Sequence, residues 1–180
     1  MQARHKHQGV TLVEAAVVLA IVAIVAGSAV PGFQAFIERQ RLEAAADQLG
    51  TDLRFARAEA IARNAGLRVS VQTAPSGTCY VIHSGAPGEC RCEATGPAHC
   101  QGDARELKTT HLPQREGITL HANTSSMLFD PLHGTCTPTG TLRVVAASGR
   151  AIHQVVNVMG RVRACSPQGP GTAVTGYRAC

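Results

Sequence analysis

Residues 9–32 read GVTLVEAAVVLAIVAIVAGSAVPG, and the architecture is built outward from them. No charge occurs from Ala15 to Val30, and the apolar run that starts at Val10 contains a single charged residue, Glu14. At the α-helical rise this run makes about 30 Å of helix, the thickness of a bilayer's hydrocarbon core. The leader ahead of it, MQARHKHQG, carries Arg4 and Lys6 and no acid. Such a leader is expected to stay cytoplasmic while the bulk of the chain lies across the membrane. The small residues AGSAVPG at 26–32 pass weakly for a secretory cleavage site, which would release a soluble product. Glu14 argues for retention, because a carboxylate in lipid is costly unless it has a partner and so points to a role in assembly.

Gly9, Val10, Thr11, Leu12, Val13 and Glu14, followed by the apolar run and Pro31, resemble the class III signal of type IV pilins and type II secretion pseudopilins. The resemblance implies that a prepilin peptidase cuts after Gly9 and methylates the new amino terminus, Val10. It also implies that Glu14 engages the terminal amine of a neighbouring subunit. Opposite charges attract strongly in apolar surroundings, so this pair would set the register as subunits leave the membrane. One departure is that the first mature residue of the family is usually phenylalanine and here is valine.

Beyond Pro31 the pattern stays helical through about Asn64. Phe33, Phe36, Ile37, Leu42, Ala45, Ala46, Leu49, Leu53, Ala56, Ala60 and Ile61 recur mostly at spacings of three and four and form one apolar stripe. Arg39, Glu43, Asp47, Asp52, Arg57 and Arg63 are assigned to the other face, and Asn64 and Gly66 to the stop. Counted from Val10, the helix is about 55 residues or roughly 80 Å long. Gly27, Ser28, Pro31 and Gly32 predict a kink or local melting, with Pro31 as the kink residue. The segment LRFARAEAIARNAG at 53–66 also resembles the end of this helix in the FimT/FimU and GspH class of minor pilins and pseudopilins. Strands are predicted at 67–72, 79–83, 118–121, 127–129, 142–146, 152–156 and 158–165, and an ordered loop at 84–104. The expected fold is α+β and, by the resemblance, pilin-like. A long kinked N-terminal helix, transmembrane in its first half, packs on a small, mainly antiparallel sheet domain stabilised by disulfides. The organisation is a cytoplasmic leader at 1–9, a transmembrane or filament-core half at 10–32, an amphipathic half at 33–66 and a periplasmic β-rich domain at 67–180. The expected location is the inner membrane, crossed once, with incorporation into a pilus or pseudopilus.

With 180 residues, the chain offers one domain's worth of core, and four phenylalanines, two tyrosines and no tryptophan leave it short of aromatic filling. Seven cysteines, Cys79, Cys90, Cys92, Cys100, Cys136, Cys165 and Cys180, are therefore expected to form disulfides in an oxidising compartment, with one thiol left over. A Cys165–Cys180 bridge and a bridge among Cys90, Cys92 and Cys100 are expected; the full pairing does not follow from sequence. Zinc is not expected: Cys90 and Cys92 are too closely spaced, and neither they with His99 and Cys100 nor His133 with Cys136 suit an oxidising compartment. His153 is read as a solvent-facing strand residue. No nucleophile elbow, phosphate loop, H-E-x-x-H or dinucleotide fingerprint is present, so neither an enzyme nor a cofactor is expected.

The net charge is +5, and Asp130 is the last acid, while Arg143, Arg150, Arg161, Arg163 and Arg178 all follow it. An anionic partner would bind this end. In the strand pattern, Arg161 and Arg163 share a side about 6–7 Å apart, suited to successive phosphates of double-stranded DNA, although alternation alone also places polar residues there. With few aromatics to stack bases, duplex is preferred over single strands. Gly160, Arg161, Val162 and Arg163 resemble the G-R-x-R element of FimT-type minor pilins in naturally competent bacteria. That resemblance implies Arg161 and Arg163 as the DNA-contact pair, with Gly160 allowing close approach and Arg143, Arg150 and Arg178 in support. Three functions follow: a minor pilin that primes a type IV pilus with other pilin subunits, the same subunit capturing DNA for uptake, and a GspH-like minor pseudopilin of a type II secretion system.

Overall fold

The computed structural model describes residues 10–180 apart from Pro75, and of residues 28–31 the backbone alone. The leader and the proposed cleavage residue Gly9 lie outside the described residues. Helix α1 runs Leu12–Arg63. Thr11 opens it: its Oγ1 accepts the Glu14 N–H at 3.2 Å and its carbonyl accepts the Ala15 N–H at 3.0 Å. Thr11-x-x-Glu14 has the spacing of a capping box, and it places a carboxylate in the first turn, where the helix dipole favours negative charge. The backbone stays helical through Pro31, so the local melting expected at 27–32 does not occur. Of the kink residue itself, this helical backbone is what is described. The helix ends where expected, on a left-handed Asn64 with φ 49°.

The chain divides into two compact units, one reaching to Ile37 and the other Glu38–Cys180. In the first, Leu12 is 86% and Ile24 73% exposed, and the consecutive Val17, Val18 and Leu19 are all more than half exposed. An apolar helix bare on every side is stable only in lipid or among other helices.

The second unit carries three antiparallel sheets. Among the described residues, eleven strands follow α1: β1 Leu67–Ala74, β2 Gly77–His83, β3 Cys90–Arg91, β4 His99–Cys100, β5 Glu106–Pro113, β6 Ile118–Ala122, β7 Ser126–Phe129, β8 Cys136–Thr137, β9 Gly140–Ala146, β10 Ala151–Val156 and β11 Val162–Cys165. The first sheet has the order β5-β2-β1-β7-β8, the second β11-β10-β9-β6, and β3 pairs with β4. The core lies between these sheets and the second half of α1. Leu42, Ala46, Leu49, Leu53, Ala56 and Ala60 of the helix meet Leu67, Val69, Tyr80, Ile82 and Phe129 of the first sheet and Leu142, Val144 and Ile152 of the second, all essentially buried. At Gly50 a Cβ would stand 2.9 Å from Gln154 Nε2, an atom already donating to the Ala46 carbonyl at 2.8 Å, so glycine there lets the helix lie close on β10.

Two assignments on the helix are corrected. Asp52 was placed on the outer face, yet it is 3% exposed, because its carboxylate accepts from Tyr80 Oη at 2.8 Å and Lys108 Nζ at 2.7 Å. Arg57 is half-buried, donating from Nε to the Gly134 carbonyl at 2.9 Å. Strand β5 was not foreseen: nearly all its residues are half-buried, so neither face shows a clean apolar alternation. The strand read at 158–165 begins only at Val162, since residues 157–160 form a turn closed by Gly160 N–H to the Asn157 carbonyl at 2.9 Å.

Disulfides join Cys79 to Cys92, Cys90 to Cys100 and Cys165 to Cys180. The first two clamp the loop at 84–104 over the first sheet, where Gln72 binds the Cys90 carbonyl and the Cys92 N–H at 2.7 and 3.0 Å. Beneath that loop His83 bonds Ser70 Oγ at 2.8 Å, and burial lowers its pKa, with the charge of Arg68 acting in the same direction. Among the described residues Cys136 is the free cysteine, and burial pushes its thiol up to about 11.

Candidate nucleic-acid interface and assembly segment

The second sheet has one face in the core and one outward. Register sets the outward rows: Arg163 of β11 lies opposite Val155 of β10, which lies opposite Thr141 of β9. In the next row Cys165, His153, Arg143 and His121 stand side by side across all four strands. Arg143, Arg163 and His121 are exposed, whereas Leu142 and Val144 beside Arg143 and Leu120 beside His121 are buried. Strand spacing puts Arg163 and Arg143 about 12 Å apart. No carboxylate occurs on any of these four strands, among the described residues.

Arg161 sits one residue before β11, exposed, with its N–H on Asn157 Oδ1 at 2.9 Å. The C-terminal segment returns beside the end of β11: Ser166 N–H donates to the Arg178 carbonyl at 2.9 Å, and Ser166 bridges Ala179. A cleft of about 420 Å³ opens there, lined by Val155, Arg163, Cys165, Arg178 and Cys180. His153 is half-buried beside it, with Nδ1 3.4 Å from Cys180 Sγ. Burial first, and then Arg143, lower its pKa and favour the neutral imidazole.

Two residues assigned to the contact surface are elsewhere in role. Arg150 Nη2 lies 3.6 Å from Glu38 Oε1, and Ser148 hydrogen-bonds the same oxygen, so the charge of Arg150 is compensated. Gly160 is buried with φ 67°, and a Cβ there would stand 2.2 Å from the Gly134 carbonyl oxygen. Glycine is required at this position by close approach within the fold. Of the arginines assigned to this surface, Arg161, Arg163, Arg143 and Arg178 have no ion-pair partner among the described residues.

His153 Nδ1 and the sulfurs of Cys165 and Cys180 lie within 4.8 Å of one another, but these sulfurs are bonded to each other and offer no thiolate. Cys90, Cys92 and Cys100 are engaged in the same way. At the other end of the chain, Val10 is 72% exposed and the Glu14 carboxylate has no ion-pair partner among the described residues. Thr11 escaped the sequence reading as a cap, although its T-x-x-E spacing was there to be read.

A long apolar helix leading into an antiparallel sheet body defines a pilin-like subunit with a membrane anchor. Residues 4–30 match the prokaryotic N-terminal methylation motif, and residues 45–160 match the type II transport protein GspH family. The chain belongs to the GspH family. Its fold is similar to the crystal structure of the type IV minor pilin FimU of Pseudomonas aeruginosa, strain PAO1, with a TM-score of 0.52 at 18% identity over 79% of this chain and 98% of that one. A second crystal form of FimU gives a TM-score of 0.51 at 15% identity, covering 76% and 98% of the two chains. No curated protein matches the chain in sequence.

Proposed function

We propose that this chain is a minor pilin that primes a type IV pilus and captures duplex DNA on its cationic sheet face. In this reading a prepilin peptidase cuts after Gly9, Val10 is methylated, and Glu14 pairs with another pilin subunit as residues 10–32 leave the inner membrane. Residues 67–180 lie in the periplasm and act by binding and assembly, without catalysis. The observation that carries the DNA reading is the second sheet's outward face, which gathers exposed Arg143 and Arg163 beside Arg161 and Arg178 with no carboxylate on its strands among the described residues. Guanidinium groups so placed meet phosphates without reading bases.

The detergent-solubilised, oxidised chain is expected to bind a random-sequence duplex with micromolar Kd, weakening steeply between 50 and 200 mM salt. Arg161→Ala/Arg163→Ala should abolish most of that binding and reduce the slope of log Kd against log salt by about 2. Equal, weak binding by both proteins removes DNA capture from the proposal.

A second reading, a minor pseudopilin of a type II secretion system, is favoured by the description of the family that matches residues 45–160. Deleting the gene separates the two. Loss of surface pili and of DNA uptake, with secretion intact, is expected for the pilin; accumulation of exoproteins in the periplasm identifies the pseudopilin.

A further inference from the structure

The turn at 157–160 presents Val158 and Met159 to solvent, 56% and 55% exposed. It is held from several sides. Asn157 N–H donates to the Arg161 carbonyl at 3.2 Å, Gly160 N–H to the Asn157 carbonyl at 2.9 Å, and Cys136 N–H to the Val158 carbonyl at 2.9 Å. Arg161 N–H is fixed on Asn157 Oδ1 at 2.9 Å, and Gly160 packs against the Gly134 carbonyl. The two apolar side chains are therefore carried on a rigid support, directly ahead of Arg161 and Arg163.

Exposed apolar side chains on a pre-ordered turn are unfavourable in water and gain only when something covers them. Their neighbours in sequence narrow the choice. A stable protein–protein contact needs about 800 Å² from each partner, more than two side chains on a four-residue turn supply. The flanking charges are arginines, which complement a polyanion. Proteins that bind the minor groove combine these two features, inserting an apolar side chain such as methionine between base steps while arginines hold the backbone on either side.

We infer that Met159, with Val158 beside it, is a wedge that inserts between base steps and bends the duplex held by Arg161 and Arg163. This inference rests on the DNA-capture reading and adds a mode of recognition to it: preference for easily unstacked pyrimidine–purine steps, without base-specific hydrogen bonds.

The test uses the full oxidised chain in detergent and a duplex of about 25 base pairs with dyes at its ends and 2-aminopurine at a central TA step. Wild type is expected to bring the dyes closer and to raise 2-aminopurine fluorescence. Val158→Ser/Met159→Ser should lose both signals and weaken binding about fivefold, with the salt slope unchanged. Leu132, 73% exposed in the neighbouring loop, serves as the control, and Leu132→Ser should leave the signals unaltered. Wild-type binding without bending or unstacking, or a Val158/Met159 variant indistinguishable from wild type, overturns the wedge and leaves DNA capture standing. No wild-type binding to the duplex overturns the capture reading itself. Binding of anionic phospholipid vesicles in place of duplex, lost in the Val158/Met159 variant, overturns both.

Discussion

Replacing Asp52 by alanine is expected to lower the melting temperature of the sheet-bearing unit by about 10 °C or more, corresponding to roughly 3–5 kcal/mol. The carboxylate is 4% exposed and receives Lys108 Nζ at 2.7 Å, Tyr80 Oη at 2.8 Å and Gln48 Nε2 at 3.0 Å. Burial pushes the Tyr80 phenol far above its ordinary range, and the nearby Asp52 charge adds to the effect, favouring the protonated hydroxyl that donates. Removing the acceptor takes from that hydroxyl its carboxylate partner and leaves the Lys108 ammonium, 38% exposed, without its counter-ion. Asp52→Asn keeps the shape and an acceptor for Tyr80 while losing the charge, and it should fall between wild type and alanine. Thermal unfolding followed by circular dichroism reads all three, and an alanine variant within 2 °C of wild type sinks the argument.

The second large effect is expected at Gly160. Alanine there meets two separate costs: a left-handed φ of 67°, and a Cβ 2.2 Å from the Gly134 carbonyl oxygen and 2.8 Å from Arg57 Nε. A flexible side chain yields to such a contact, whereas a backbone oxygen bonded to Arg57 does not. Gly160→Ala is expected to cost about 3 kcal/mol or more, and Gly160→Val to prevent folding. Gly149 separates the two costs, because its φ is 89° with nothing within 4 Å of a Cβ; Gly149→Ala carries the backbone strain alone, about 1 kcal/mol. Similar melting temperatures for the two alanine variants would mean that the close approach to Gly134 contributes nothing. For the DNA reading, a Gly160 substitution is a folding variant, and loss of binding in it says nothing about contact.

Most of the fold was legible because its signals are local. The apolar run after Gly9 and the stripe from Leu42 to Ala60 each repeat along a short stretch of chain, so periodicity reports them directly. Strands with one buried face, such as β9 with Leu142, Val144 and Ala146 inward, were equally visible. Strand β5 was not, because half-burial on both faces erases the alternation. Asp52 was misplaced for a related reason: its charge argues for water, and besides Gln48 one turn away it takes Tyr80 and Lys108, far along the chain, to make burial tolerable.

Of the candidate interface, the arginines were legible and their grouping was not. Sequence by itself determined the surplus of positive charge after Asp130 and the membrane-length helix with its single carboxylate; the even-odd pattern read over Arg161 and Arg163 covers only Arg163, since β11 begins at Val162. These are properties of composition and of neighbours along the chain. Tertiary structure alone decided that Arg143 lies across two strands from Arg163, that Arg178 returns beside β11, and that Arg150 is neutralised by Glu38. It also decided that Gly160 serves packing. Each of those depends on which residues distant in sequence are brought together by the pairing of strands and by the helix across the core, and strand pairing is settled by the whole buried surface, not by any one segment.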